Sequence, residues 1–255
     1  MVTDLSPLAN VPKLLFAVEL EPLQGARFQP TGFPSLGAAT YQTSRGVNHL
    51  VESPQSMANR LEAVCWNDGG SAPVPDLTGI SYVRVERHDK YLTSSITEAH
   101  RLNSPYILEG TDRTFFEALR TALGVMEKGP IDRRALSTVL LIHDVGSLLH
   151  GIFLAKKEIA GGRIRLARAL SAFIEAENAC PAVSGGVKND HVNPSGDTAT
   201  GFGNVPFSRE EFTADRIVLY VNLDLAQIRG YGLGATVEQI EEHTSELQSP
   251  NTISY

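Results

Sequence analysis

The chain has 255 residues, of which 42% are hydrophobic and 20% charged, enough for one large domain or two small ones with a sizeable core. Its net charge of −7 argues against a nucleic-acid binder that works through an overall basic surface. The two cysteines, Cys65 and Cys180, lack CxxC spacing and read as small core residues of a reduced, cytoplasmic protein.

No apolar segment follows a basic N-terminal region, so no secretory signal is expected. Lys13 to Leu23 alternates strongly enough to predict a mostly buried strand. Gln24 to Tyr41 follows, with Gly25, Pro30, Gly32, Pro34 and Gly37 set around Arg27, Phe28 and Gln29. Such a loop reads equally as an anion grip, since glycine lets backbone approach and arginine offers a planar donor fork, or as a structural turn. Val51 to Asn67 predicts a helix, with Ser53 at the N-cap, Pro54 at the first helical position and an apolar stripe of Met57, Leu61, Val64 and Cys65.

Asp68 to Leu77 is linker-like, and Ser81 to Glu86 is a short strand ending in a charged cluster. Glu98, His100, Arg101 and Asn103 crowd together before Pro105. Thr111 to Lys128 predicts a second helix with Phe115, Phe116, Leu119, Leu123 and Met126 on its apolar side. Thr138 to Ala155 is the most apolar run, but His143, Asp144, Gly146, His150 and Gly151 make it wrong for a membrane span. Its glycines favour a hairpin around Asp144 to Ser147.

Arg163 to Glu175 alternates as a strand. Ala182 to Ser208 is a long polar loop, of the length that is functional or disordered in compact domains. Arg216 to Leu225 is a strong strand, and Ile228 to Gly234 is a second Gly-rich turn. Glu241 to Ser249 resembles the translated read-through of a sequencing-library adapter, so residues 241–255 are set aside as a non-native tail. Without Glu241, Glu242 and Glu246, 26 acidic residues face 22 basic ones.

No catalytic set assembles from these motifs. His143-Asp144 lacks the further ligands of a metal phosphohydrolase, and no HExxH spacing is present. Gly230, Gly232 and Gly234 lack the βαβ context of a dinucleotide fingerprint. No cofactor is expected. The remaining loops, rich in Gly, Arg, Lys, Asn and aromatics, suit sequence-tolerant binding of single-stranded RNA. An enzyme with a Gly-rich anion-binding loop is the alternative.

Six blocks, RFQPTGFPSLGAATY, VESPQSMANRLEAVCW, EAHRLNSPYIL, SGGVKND, GFGNVPFSREEFTA and DLAQIRGYGLG, together resemble the backbone subunit of the type I-U (I-G) CRISPR interference complex, or Cascade. That subunit is the Cas-seven-type branch of the RAMP superfamily. The resemblance runs from Leu14 to Gly234. It implies an α+β fold in residues 1–240: an RRM-like (ferredoxin-like) palm, fingers at about 68–134 and a thumb at about 184–212. It implies a non-catalytic protein that oligomerises with copies of itself along a CRISPR RNA, beside other effector-complex subunits, and presents the guide to target DNA. No membrane partner is implied. The candidate RNA-binding residues are Arg27, Phe28 and Gln29 in the first loop, Gln55 and Asn59 on the first helix, His100, Arg101 and Asn103 in the fingers, and Lys188 and Asn189 at the thumb base. An endoribonuclease of the same superfamily is the nearest alternative.

Overall fold

A computed structural model describes residues 4–33, 35, 37–124, 128–234 and 251–254. The fold is mixed α/β with antiparallel pairings. In chain order the first elements are β1 (Lys13–Leu20), β2 (Gly32–Phe33), β3 (Gly37–Ala38), β4 (Thr40–Thr43), β5 (Gly46–Glu52), α1 (Pro54–Ala63), β6 (Trp66–Asn67), β7 (Ala72–Pro73), β8 (Val83–Arg87) and β9 (Lys90–Ser94). Four helices follow: α2 (Pro105–Leu108), α3 (Thr114–Leu123), α4 (Arg133–His143) and α5 (Val145–His150). The rest are β10 (Ile152–Leu154), β11 (Ile164–Leu166), β12 (Leu170–Glu177), β13 (Cys180–Lys188), β14 (Val205–Thr213), β15 (Arg216–Asp224), α6 (Leu225–Gly230) and β16 (Asn251–Ser254). None of the described helices is long and apolar enough to cross a membrane.

The chain divides into two compact units. One comprises Phe16–Pro54 and Ala172–Tyr220; the other comprises Met1–Leu15, Gln55–Ser171 and Val221–Tyr255. The first carries most of a five-stranded sheet of order β1-β15-β12-β5-β4, together with the long β13–β14 hairpin. β1 forms where expected, but it is not mostly buried: Leu15, Phe16 and Val18 are exposed, because β1 is an edge strand of its sheet.

The expected loop at Ala182 to Ser208 is largely this hairpin, in continuous register from Cys180↔Thr213 to Lys188↔Val205. Paired backbone satisfies a polar stretch that local pattern could not assign. Its connecting segment is organised by Asp190, whose carboxylate accepts from the backbone N–H groups of Val192, Asn193 and Gly203 at 2.8–3.0 Å. Those donors hold the Asp190 carboxyl below the usual carboxylate range. Cys180, expected in the core, is exposed at the start of β13, and Cys65 is half-buried.

The other unit is built on one apolar cluster in which Val83 and Val85 of β8 meet Phe115, Phe116 and Leu119 of α3, Leu136, Val139 and Leu140 of α4, and Leu154 and Ile164. Helices α1 and α3 form inside their expected ranges, although Val64 lies past the end of α1 and is exposed. Met126 and the adapter-like segment 241–249 lie outside the described residues. Residues 251–254 form β16, parallel to β8. The charged cluster after β8 is a tight hairpin turn, with His88 and Asp89 both at positive φ (53° and 59°), as a two-residue turn of the primed type requires.

The hairpin expected over Thr138 to Ala155 is instead α4 and α5. Asp132 caps α4 by accepting from the N–H groups of Arg134 and Ala135 at 2.9 and 3.0 Å. Leu136, Val139 and Leu140 then fall at i, i+3 and i+4 on the buried face. Gly151, at φ +76°, ends the second helix, and a Cβ there would stand 2.6 Å from the Leu166 carbonyl oxygen.

The alternation read as one strand over Arg163 to Glu175 is two strands in different sheets, β11 with β10 and β12 with β5. Between them the Ala169 backbone donates to Leu149 O at 2.9 Å and accepts from Asp224 N at 2.7 Å. The Gly-rich turn at Ile228 to Gly234 begins in the last residues of α6, which Asp224 caps by accepting from Gln227 N at 2.8 Å, and continues as a turn in which Gly232 N donates to Arg229 O at 3.1 Å.

Candidate nucleic-acid interface

A cleft of about 800 Å³ lies wholly within the second unit, lined by Gln55, Ala99, His100, Arg101, Asn103, Arg133, the His150–Phe153 turn and Arg165 to Arg168. Four arginines and two histidines line it, and its lining contains no Asp or Glu among the described residues. For a chain of net charge −7, that is a strong local inversion. A neighbouring hollow of about 530 Å³ shares Arg133, Arg165, Leu166 and Ala167 and adds Arg163, so the cationic lining continues beside β11. Clefts lined by one sign of charge concentrate counter-ions, here anions.

Helix α1 supplies Gln55 at its exposed first turn. The Gln55 Nε2 donates to Asn59 Oδ1 at 3.0 Å, and its Oε1 accepts from Arg168. That pair orients Arg168 towards the cleft, while the Arg168 Nε is buried without a described partner. Burial pushes the Arg168 guanidinium below its ordinary range, with Arg101 adding to the effect.

His100 is exposed at the rim. Arg101 is 93% buried, and its guanidinium forms a two-pronged pair with Glu62, Nε to Oε1 at 2.7 Å and Nη2 to Oε2 at 2.8 Å. Its φ of +49° is rare for a non-glycine residue and is held by that anchorage. Arg101 therefore shapes the cleft floor rather than offering a free fork. Asn103 accepts from Ala155 N at 2.8 Å through Oδ1, fixing the chain where it leaves β10.

His150 is 94% buried in the floor, with Nδ1 unpartnered. Burial first, and then the Arg101 and Arg168 charges, lower it to about 4, so the ring is neutral at physiological pH. Asp144 lies fully buried, donated to by Ser147 Oγ at 2.6 Å, and burial raises its carboxyl to about 6.

The other candidates belong to the sheet unit. Arg27 Nη1 stands 3.1 Å from Glu211 Oε2, which also accepts from Ser184 Oγ at 2.6 Å, so this arginine ties the Gly-rich loop to the β13–β14 hairpin. Phe28 bridges Phe212 through paired backbone hydrogen bonds of 2.9 Å. Gln29 lines a separate hollow of about 410 Å³ with Gly32, Gly37, Ser208 and Arg209. There the backbones pack so closely that a Cβ at Gly32 would meet Gly37 O at 2.5 Å. Lys188 ends β13, and both it and Asn189 are exposed.

Of the ten candidates, the structure thus brings Gln55, His100, Arg101 and Asn103 to one cleft, with Asn59 bonded to Gln55. Sequence reasoning missed Arg133, Arg165 and Arg168. The local signal for Arg165 was its outward place, with Arg163, in the alternation against Ile164 and Leu166. Among the described residues, no group of three or more His, Cys, Asp and Glu side chains could hold a metal ion.

No curated protein matches the chain. Residues 14–181 match the family model described as CRISPR-associated protein GSU0053; the match contains the first three of the six blocks and ends before those at 184–190, 201–214 and 224–234. With that match spanning more than half of its length, the chain belongs to the GSU0053 family of CRISPR-associated proteins.

Proposed function

We propose that the protein is a non-catalytic, RNA-binding backbone subunit of a CRISPR effector complex, and that its acid-free cleft grips the phosphates of a guide RNA. The observation that carries this reading is the convergence of Gln55, His100 and Asn103 with Arg133, Arg165 and Arg168 on a surface without carboxylates. Phosphate contacts from such side chains position RNA without reading its sequence. Copies of the subunit line up along one guide beside other effector subunits. Target DNA is then chosen by base pairing, as in other RNA-guided systems.

The five-stranded sheet serves as the RRM-like palm and the β13–β14 hairpin as the thumb. The hairpin's support is its extent, which contains the expected thumb, and its exposed Val183, Val187 and Phe207. Arg27, Phe28 and Gln29 act at the palm loop, and Lys188 and Asn189 at the thumb base.

The test is fluorescence anisotropy of the full chain with single-stranded RNA across a salt series. Arg133→Ala and Arg168→Ala each weaken binding and lower the slope of log affinity against log salt by about one. Unaltered slopes in both would remove the cleft from the interface. An endoribonuclease is favoured by one observation, the two histidines in the same cleft. Metal-independent cleavage of repeat RNA that is lost in His100→Ala would support it.

A further inference from the structure

Resting on the RNA reading, we propose that Phe153 and Arg165 form a platform on the cleft wall where one unpaired nucleobase stacks. The β10–β11 ribbon alternates strictly: Ile152, Leu154 and Ile164 are buried, whereas Phe153 and Arg165 point away from the core. The two outward residues are directly opposed in the register, Phe153↔Arg165. Phe153 is 43% exposed, so a large part of its ring is open to a ligand in the cleft.

The Arg165 guanidinium carbon stands over that ring, 4.6 Å from its centroid. Of the three other arginines over aromatic rings among the described residues, Arg84 is tied to Glu86 and Arg113 to the Leu108 carbonyl, whereas Arg209, over Phe207 at 5.6 Å, lies on the β13–β14 hairpin of the other unit, outside the lining of this cleft. The Arg165 side chain has no hydrogen bond or ion pair among the described residues. It is a flat cation braced by an aromatic ring and open to the cleft. Guanidinium planes and aromatic rings both stack on nucleobases, and every base offers such a face, so the platform tolerates any sequence. Arg133 and Arg168, lining the same cleft, lie where the flanking phosphates of a stacked nucleotide can be neutralised.

The experiment uses the full chain and a single-stranded oligoribonucleotide containing 2-aminopurine, whose fluorescence falls when it stacks. Binding to the wild type quenches the probe. Phe153→Leu, which keeps apolar volume but removes the ring, weakens binding about tenfold, abolishes the quench and leaves the salt slope unchanged. Phe153→Trp retains or deepens the quench, which guards against a leucine variant that merely folds poorly. If Phe153→Leu binds and quenches like the wild type while Arg168→Ala weakens binding, the platform is wrong and the RNA reading stands. If the wild type does not bind the oligonucleotide, both fail.

Discussion

Arg101 and Glu62, 39 residues apart in the chain, meet as a two-pronged buried ion pair beneath a cleft whose lining, among the described residues, carries no carboxylate. Neither side chain is more than 12% exposed, so each neutralises a charge the interior could not otherwise hold. Removing one partner strands the other. Arg101→Ala or Glu62→Ala is expected to cost roughly 3–5 kcal/mol in denaturant unfolding, whereas the double variant Arg101→Met with Glu62→Met recovers most of that loss. A small, additive effect in the single variants would show that the pair is not buried in solution.

The buried groups around that pair give opposite pH dependences. Asp144 ionises near pH 4 when unfolded but at about 6 when folded, so its contribution to stability falls as pH rises through that window. His150 takes up its proton near 6.5 when unfolded but only at about 4 when folded, so its contribution is full above 6.5 and is lost as pH falls. The wild type is therefore expected to change little in melting temperature between about pH 4 and 6 from these two groups. Asp144→Asn leaves the histidine slope, with stability rising with pH, and His150→Gln leaves the reverse slope. Melting curves of the three proteins across that range provide the check.

Gly151 turns the chain from α5 into β10 at the cleft floor. At φ +76° and with a carbonyl oxygen 2.6 Å from its absent Cβ, it tolerates no side chain without backbone movement. Gly151→Ala is expected to destabilise by roughly 1–3 kcal/mol. Because the turn delivers Phe153 to the ribbon, the same variant also weakens RNA binding. Thermal melts and anisotropy on the same sample separate the two effects.

Arg27 is held by Glu211 yet remains half-exposed. On the proposed reading it contacts phosphate, so Arg27→Ala weakens RNA binding while costing less than about 1 kcal/mol of stability, as expected for an exposed pair. Glu211→Gln frees the guanidinium and raises affinity. A purely structural clamp would instead give lower stability in both variants and unaltered RNA affinity.

Much of the scaffold was legible from local pattern. Helices α1 and α3 and strands β8 and β15 arise where breakers, caps and apolar spacing agree, because those signals act over a few neighbouring residues. The six blocks also pointed to CRISPR association, which the family match establishes. Asn103 and Gln55 were identifiable as candidates by residue type, but their engagement by Ala155 N and Arg168 was not.

What only the tertiary structure decided depends on partners far away in the chain. The apolar run at 138–155 is compatible with two periods, and the core formed with β8 and α3 selects the helical one. Arg101 looked like a free cation until Glu62 was brought beside it. Phe153 and Arg165 became a pair only because β10 and β11 align them across a ribbon. The sequence by itself determined the family and the residue types available for gripping an anion. Folding decided which of those charges are neutralised in the interior and which are left facing the cleft, because desolvation and pairing depend on neighbours that sequence distance does not reveal.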